Sequence, residues 1–140
     1  MLVHRLIKKQ KDRLLTCRPD DSIKVAAVML RSNHIGALPV CDADRHLKGV
    51  ISERDIVRGV ADSDAQVLEM TVAELMTAEV ITCAPDDDIR DALRLMFKHK
   101  IRHLPVVDEG QVCGMVSLRA AMESRLRRRR WSGGHATQSN

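Results

Sequence analysis

Residues 15–23 read LTCRPDDSI, and residues 81–89 read ITCAPDDDI. In the same register, LPV at residues 38–40 returns as LPV at residues 104–106. The chain therefore contains an internal duplication, and this duplication decides the fold. It predicts one domain made of two similar halves related by a pseudo-twofold axis. The seam between two such halves is a place where a ligand can bind.

Chain length and composition are consistent with one globular domain. At 140 residues the chain has the length of one domain. One copy alone, at about 50 residues, would bury too little surface to be stable by itself. The hydrophobic fraction of 44% and the charged fraction of 30% are ordinary for a globular protein. No run approaches the roughly 18 apolar residues of a membrane span, and no signal peptide is recognisable, so we expect a cytoplasmic protein with no membrane partner.

The local pattern predicts the same elements in both copies. Apolar residues recur at helical spacing after the first duplicated stretch, at Ile23, Ala26, Ala27 and Leu30. Strand-like runs precede and follow this helix, so each copy is predicted as β-α-β-β-α and the fold class as α+β. The predicted divisions are a helix at 1–12, a first repeat at 13–60, a connector at 61–78, a second repeat at 79–126 and a basic disordered tail at 127–140.

Several residue types argue against other classes of function. The four cysteines lie in apolar runs without metal-ligand spacing, which favours buried reduced thiols over a metal or redox site. Five of the six histidines, all except His103, have no ligand-like spacing either, so no metal site is predicted. With one Phe, one Trp and no Tyr, the chain offers little surface for stacking nucleic-acid bases. No catalytic triad or carboxylate pair is suggested by spacing, and an enzyme is not expected.

The formal net charge of +4 comes from the C-terminal end of the chain. Without Arg125 and the run Arg127, Arg128, Arg129 and Arg130, acidic residues slightly outnumber basic ones. Such a run is a solvated tail in one interpretation. In the alternative it binds nucleic acid through phosphates, without sequence preference.

Two stretches carry a resemblance to a known family. Residues 49–55 read GVISERD, and residues 103–108 read HLPVVD. With the duplication, they resemble a tandem pair of cystathionine-β-synthase-type (CBS) domains, also called a Bateman module, over about residues 13–124. The resemblance implies a regulatory module that binds an adenosine nucleotide (AMP, ADP or ATP), forms a homodimer and signals to an effector protein. S-adenosylmethionine and NAD are alternatives because they share the ribose, and no resident cofactor is expected.

The resemblance also implies which residues form a primary pocket between the repeats. They are Val50, Ser52, Arg54, Asp55, Val80, Ile81, Arg102, His103 and Pro105. In this pocket a carboxylate accepts the ribose hydroxyls, and a serine at a helix N-terminus suits an oxygen-rich ligand. Arg102 and His103 supply cations for phosphate. The valines and the isoleucine offer flat walls for a purine.

A mirror pocket follows from the pseudo-twofold axis, and it departs from the family pattern. Its predicted residues are Thr16, Cys17, Ile35, Gly36, Ala37, Met115, Ser117 and Arg119. Ala120 stands where Asp55 stands in the first repeat, and Gly36 and Ala37 replace Arg102 and His103. Arg119 is expected to compensate only in part, so one competent pocket per chain is predicted.

Two simpler interpretations remain beside the binding hypothesis. Ser52 and Asp55 have the spacing of a capping box, which would serve only to begin a helix. Arg102 and His103 would be ordinary surface charge if no phosphate lies beside them. Under these interpretations the protein is a ligand-free dimeric scaffold.

Overall fold

Each repeat is built around one antiparallel hairpin. The computed structural model describes residues 1–10 and 13–137. Strands β1 (Ala37–Cys41) and β2 (Leu47–Ser52) pair in the first repeat, and β3 (His103–Asp108) and β4 (Gln111–Ser117) pair in the second. The helices are α1 (Val3–Ile7), α2 (Ile23–Ser32), α3 (Glu53–Ser63), α4 (Val72–Leu75), α5 (Ile89–His99) and α6 (Leu118–Thr137). Lys8–Gln10 and Asp64–Glu69 are short 3₁₀ segments. The α+β class and the repeated order are confirmed.

The equivalent helices α2 and α5 begin and end by the same local chemistry. Ser22 Oγ accepts the Val25 N–H at 3.1 Å, and Asp88 Oδ1 accepts the Arg90 N–H at 2.8 Å. After each helix the chain passes through a left-handed residue, His34 with φ 53° and Lys100 with φ 56°. The duplicated sequence thus fixes both helices, and the negative charge of Asp88 suits the helix N-terminus where it lies.

The strands predicted just before these helices are shorter than expected. They consist of single parallel bridges, Cys17 to Val40 and Cys83 to Val106. Local turns explain the difference, because the carboxylates of Asp21 and Asp87 accept the backbone N–H groups that follow each cysteine, both at 2.8 Å. Those N–H groups are therefore not available to extend a ladder.

The hydrophobic core has two parts, and each is completed by a segment from outside its repeat. The second repeat packs with α1, whose Val3 is 0% exposed, and the first repeat packs with α4, whose Val72 is also 0% exposed. The backbone attachments match as well. Val3 N–H donates to Asp87 O at 2.8 Å, and Val72 N–H donates to Asp21 O at 2.8 Å. The two segments therefore exchange places across the pseudo-twofold axis.

A short sequence repeat accompanies this exchange. Residues 1–6 read MLVHRL and residues 70–75 read MTVAEL, so Met, Val and Leu recur at the same spacing. Within the predicted connector at 61–78, α4 contributes to the first core. Glu74 caps this helix by accepting the Thr71 N–H at 2.7 Å. The duplicated unit is therefore longer than the LTCRPDDSI-type stretch indicates.

The C-terminal end also differs from the sequence prediction. Helix α6 continues to Thr137, whereas a disordered tail was expected from residue 127. Arginine is a strong helix former, which favours continuation of the helix through the run at 127–130. Residues 138–140 of the predicted tail lie outside the described residues.

The cysteines are free thiols, and Cys17, Cys41 and Cys83 are buried. Burial raises the pKa of Cys17 to about 12, of Cys41 to about 11 and of Cys83 to about 12. These three are therefore protonated and unreactive at neutral pH, as expected for core thiols.

Candidate functional site

A cavity of about 290 Å³ lies between the two repeats. All predicted residues of the primary pocket except Pro105 line it. It is also lined by residues that we had not assigned to this pocket: Gly36, Glu53, Arg58, Thr77, Glu79, Lys100 and Ile101. Pro105 is instead buried in β3, where its carbonyl accepts the Cys83 N–H at 3.0 Å.

Asp55 is the buried acid of this cavity, with 7% of the residue exposed. It lies in the first turn of α3, directly after β2 ends at Ser52. Its Oδ2 accepts both the Ser52 N–H and the Ser52 hydroxyl at 2.9 Å, and Ser52 Oγ accepts the Asp55 N–H at 3.2 Å. The predicted capping box is therefore present.

The other oxygen of Asp55 is less firmly held. Its Oδ1 lies 3.5 Å from the Thr77 hydroxyl and 3.8 Å from Arg58 Nη1. Both distances are longer than those of a strong hydrogen bond or a charged pair. Helix capping and ligand binding can therefore coexist on this side chain, with Oδ2 used for the cap and Oδ1 available to a ligand hydroxyl.

The aliphatic walls of the cavity come from both repeats. Val50, Val80, Ile81 and Ile101 are half-buried. Val50 is tied to the chain entering the second repeat, because its backbone exchanges hydrogen bonds with Thr77 at 2.9 and 3.0 Å. This approach requires Gly49, where an added Cβ would lie 2.6 Å from Thr77 O. The wall is thus fixed by backbone pairing.

Four basic side chains line the same cavity: Arg54, Arg58, Lys100 and Arg102. All four are exposed, whereas Asp55 is buried. Arg58 and Lys100 were not predicted from the sequence. Arg58 follows Arg54 at the i+4 position of a predicted helix, which is a signal for the same helix face. Lys100 follows the predicted end of its helix, where only the left-handed turn brings it to the cavity.

His103 lies at the contact between the repeats. An added Cβ at Gly36 would lie 3.0 Å from His103 Cε1 and 3.0 Å from Glu53 Oε1, so all three residues meet there. Burial lowers the pKa of His103 below its usual value, Arg102 and Arg54 lower it further, and Glu53 opposes them. The lowered pKa leaves this imidazole mostly neutral at pH 7, and its predicted contact with phosphate stays a prediction.

The mirror set is organised differently. Cys17 and Ala37 belong to the buried core, and Gly36 lines the primary cavity. Thr16, Ile35, Met115 and Ser117 are half-buried. Ser117 Oγ accepts the Ala120 N–H at 3.0 Å, so this serine caps α6.

Two further residues of the mirror set, Met115 and Arg119, also have polar partners. Gln10 holds both backbone groups of Met115, donating to its carbonyl at 3.0 Å and accepting its N–H at 2.9 Å. Arg119 Nε lies 2.9 Å from Glu123 Oε1. The one predicted cation of this set is thus bound to an acid, which agrees with an asymmetric pair of pockets.

One histidine lies nearer to acids than its spacing suggested. Side-chain ligand atoms of Asp42, Asp44 and His46 lie within 4.8 Å of one another. Asp42 holds a turn, since its Oδ1 accepts the N–H groups of Asp44 and His46 at 2.9 Å. Hydrogen bonding by His46 and Asp44 lowers the pKa of Asp42. The turn alone accounts for these contacts.

Within residues 1–10 and 13–137, no helix combines the length and the apolar character needed to cross a membrane.

Comparison with known proteins places both repeats in one family. The family model described as "CBS domain" matches residues 9–62 and 72–127. An inosine-5'-monophosphate dehydrogenase of Halobacterium salinarum is 36% identical over 118 residues, which cover 82% of this chain and 22% of that enzyme. The chain thus spans about a fifth of the length of this relative.

Solved structures show the same fold. A CBS-domain containing protein from Agrobacterium tumefaciens is 32% identical, with a TM-score of 0.82 over 89% of this chain and 99% of that chain. The CBS domain pair of protein MJ0100, solved in complex with 5'-methylthioadenosine and S-adenosyl-L-methionine, is 31% identical. Its TM-score is 0.78 over 90% of this chain and 94% of that chain.

Proposed function

The chain belongs to the CBS-domain family, and from this premise we propose that it is a regulatory module that binds an adenosine nucleotide between its repeats. The observation that carries the proposal is the buried carboxylate of Asp55 in a cavity lined by both repeats. A solved relative holds two adenosine compounds, which supports an adenosine ligand here.

Each part of such a ligand has a matching set of residues. Asp55 Oδ1 accepts a ribose hydroxyl, since its present partners lie at 3.5 Å or more. Val50, Val80 and Ile81 pack against the purine, where apolar contact replaces the missing aromatic residues. The exposed arginines and the lysine at the mouth of the cavity receive phosphate. The protein performs no reaction on the ligand and acts as a sensor.

Because the ligand contacts both repeats, its binding changes their relative geometry. A ligand shifts a conformational equilibrium only by its difference in affinity for the two states. Contacts from α3 of one repeat and β3 of the other supply that difference when the seam closes. An effector protein reads the changed geometry.

The geometry is transmitted through a homodimer. Exposed apolar side chains lie on the helices of both repeats, at Val25, Val28, Val57, Val60, Phe97, Met122 and Leu126. Large exposed apolar residues on neighbouring helices mark interaction surfaces. Analytical ultracentrifugation tests this: the unaltered chain sediments as a dimer and Val57→Lys sediments as a monomer. A monomeric unaltered chain would contradict it.

A thermal-shift panel tests the proposed function. A ligand that binds only the folded state increases the free energy of unfolding, by about 2.7 kcal/mol at a ligand concentration one hundred times its dissociation constant. The melting temperature rises with it. AMP, ADP, ATP, NAD and S-adenosylmethionine are compared with GTP as the control purine. If every adenosine compound leaves the melting temperature unchanged, the protein is a scaffold in which Asp55 only caps α3.

Nucleotide binding is expected to take up a proton at His103. The lowered pKa leaves this imidazole neutral at pH 7, and an adjacent phosphate dianion raises that pKa. Binding then favours the protonated form, so affinity increases as the pH falls from 7.5 towards 6. Calorimetry at pH 7 in two buffers of different ionisation enthalpy measures the uptake. The His103→Gln variant should show less uptake, and equal uptake in both proteins would refute the contact.

A further inference from the structure

The basic residues of the cavity form two pairs, one from each repeat. Arg54 and Arg58 lie one turn apart on α3 of the first repeat. Lys100 and Arg102 lie between α5 and β3 of the second repeat. All four line one cavity of about 290 Å³. Each repeat thus contributes two cations to the same seam.

Three acids, Glu53, Asp55 and Glu79, line the cavity with these four cations, so the cations exceed the acids by one. Asp55 is engaged by Ser52 at 2.9 Å, and its contact with Arg58 is 3.8 Å long. Arg54 and Arg102 both lower the pKa of His103 and Glu53 raises it, so cations of both repeats and one acid act on the same point of the cavity. A ligand with several negative charges gains more from the excess of cations than a ligand with one phosphate.

The cations of the cavity are more exposed than Asp55. Asp55 is 7% exposed, whereas the Arg58 side chain is 72% exposed. A ligand whose ribose reaches Asp55 therefore places its phosphates toward the exposed end of the cavity. One phosphate can contact the pair of cations of one repeat, whereas a chain of two or three phosphates can contact both pairs.

The equivalent positions of the mirror set lack this arrangement. Glu123 stands where Arg58 stands, His34 where Lys100 stands and Gly36 where Arg102 stands. Glu123 lies 2.9 Å from Arg119 and neutralises it. The four cations are thus a property of one seam and do not follow from the repeat itself.

We propose that the primary pocket selects nucleoside di- and triphosphates over monophosphates and over S-adenosylmethionine, with the phosphate chain joining α3 of one repeat to the α5–β3 corner of the other. The proposal rests on the proposed function and names its ligand class. Because the phosphate chain bridges the repeats, its length determines how strongly the seam is drawn together.

Titration calorimetry with ATP, ADP, AMP and S-adenosylmethionine tests the proposal. ADP and ATP should bind at least about tenfold more tightly than AMP, the effect of one or two charge-assisted hydrogen bonds. Arg58→Gln and Lys100→Gln should each weaken the binding of ATP more than the binding of AMP, and so reduce the preference for ATP over AMP. Lys98→Gln is the control, because it removes the same charge from an exposed residue of α5 outside the cavity lining. It should leave the preference for ATP over AMP unchanged.

The outcomes separate this inference from the proposed function. AMP binding as tightly as ATP would overturn the selection of polyphosphates and leave adenosine binding intact. If the Arg58 and Lys100 variants lose the same factor of affinity for AMP as for ATP, the bridging role of these residues is overturned. If none of the adenosine compounds binds, the proposed function fails and the inference with it.

Discussion

Val3→Asn lowers the free energy of unfolding by about 3 kcal/mol, through lost apolar burial and an amide placed among apolar side chains. Val3 is 0% exposed and belongs to the core of the second repeat, although it precedes the first repeat in sequence. The expected fall in melting temperature is roughly 10 °C. Chemical denaturation followed by circular dichroism measures the loss.

Leu2→Asn is the matched control for this substitution. Leu2 is 41% exposed and occupies the N-cap of α1 with extended backbone, where asparagine is a favoured residue. This variant should be neutral or more stable by up to about 1 kcal/mol. If Leu2→Asn and Val3→Asn lower the free energy of unfolding equally, α1 does not complete the core of the second repeat.

Asp55→Asn should weaken adenosine nucleotide binding by about 10- to 100-fold, the scale of losing charge-assisted hydrogen bonds to the ribose. The amide keeps one acceptor oxygen for Ser52 and loses the second, which the ligand needs. Melting curves at graded ADP concentrations give the apparent dissociation constants of both proteins.

Asp55 also caps α3, so a second cap serves as the control. Glu74 accepts the Thr71 N–H at 2.7 Å, as Asp55 accepts the Ser52 N–H at 2.9 Å. Glu74→Gln should cost a similar amount of stability, on the order of 1 kcal/mol, without changing nucleotide affinity. If both variants bind ADP like the unaltered chain, Asp55 has only a structural role.

Much of the fold could be predicted because the two copies support each other. The LTCRPDDSI-type stretch contains a turn and a helix cap, and its recurrence made each local prediction more reliable. The exchange of α1 and α4 was missed because these helices are short and lie outside that stretch. The shared Met-x-x-x-x-Leu spacing with an internal valine, in residues 1–6 and 70–75, was the available signal.

Eight of the nine residues predicted for the primary pocket line one cavity, and their binding of a ligand stays a prediction. Asp55, Val80 and Arg102 line one cavity as expected. Lys100 depends on a left-handed turn, with φ 56°, that no local pattern specified. Pro105 does not line the cavity, because it is buried in β3 between the core residues Leu104 and Val106. Contacts across the seam depend on packing between repeats, which periodicity within one repeat does not determine.

The most direct test of the account is the stoichiometry of nucleotide binding to the unaltered chain. Calorimetric titration with ATP should give one site per chain, since among the described residues the primary cavity combines a buried acid with four basic residues, whereas Arg119 of the mirror set is paired with Glu123. Two equal sites per chain would contradict the asymmetry between the pockets, and no binding at all would contradict the sensor function.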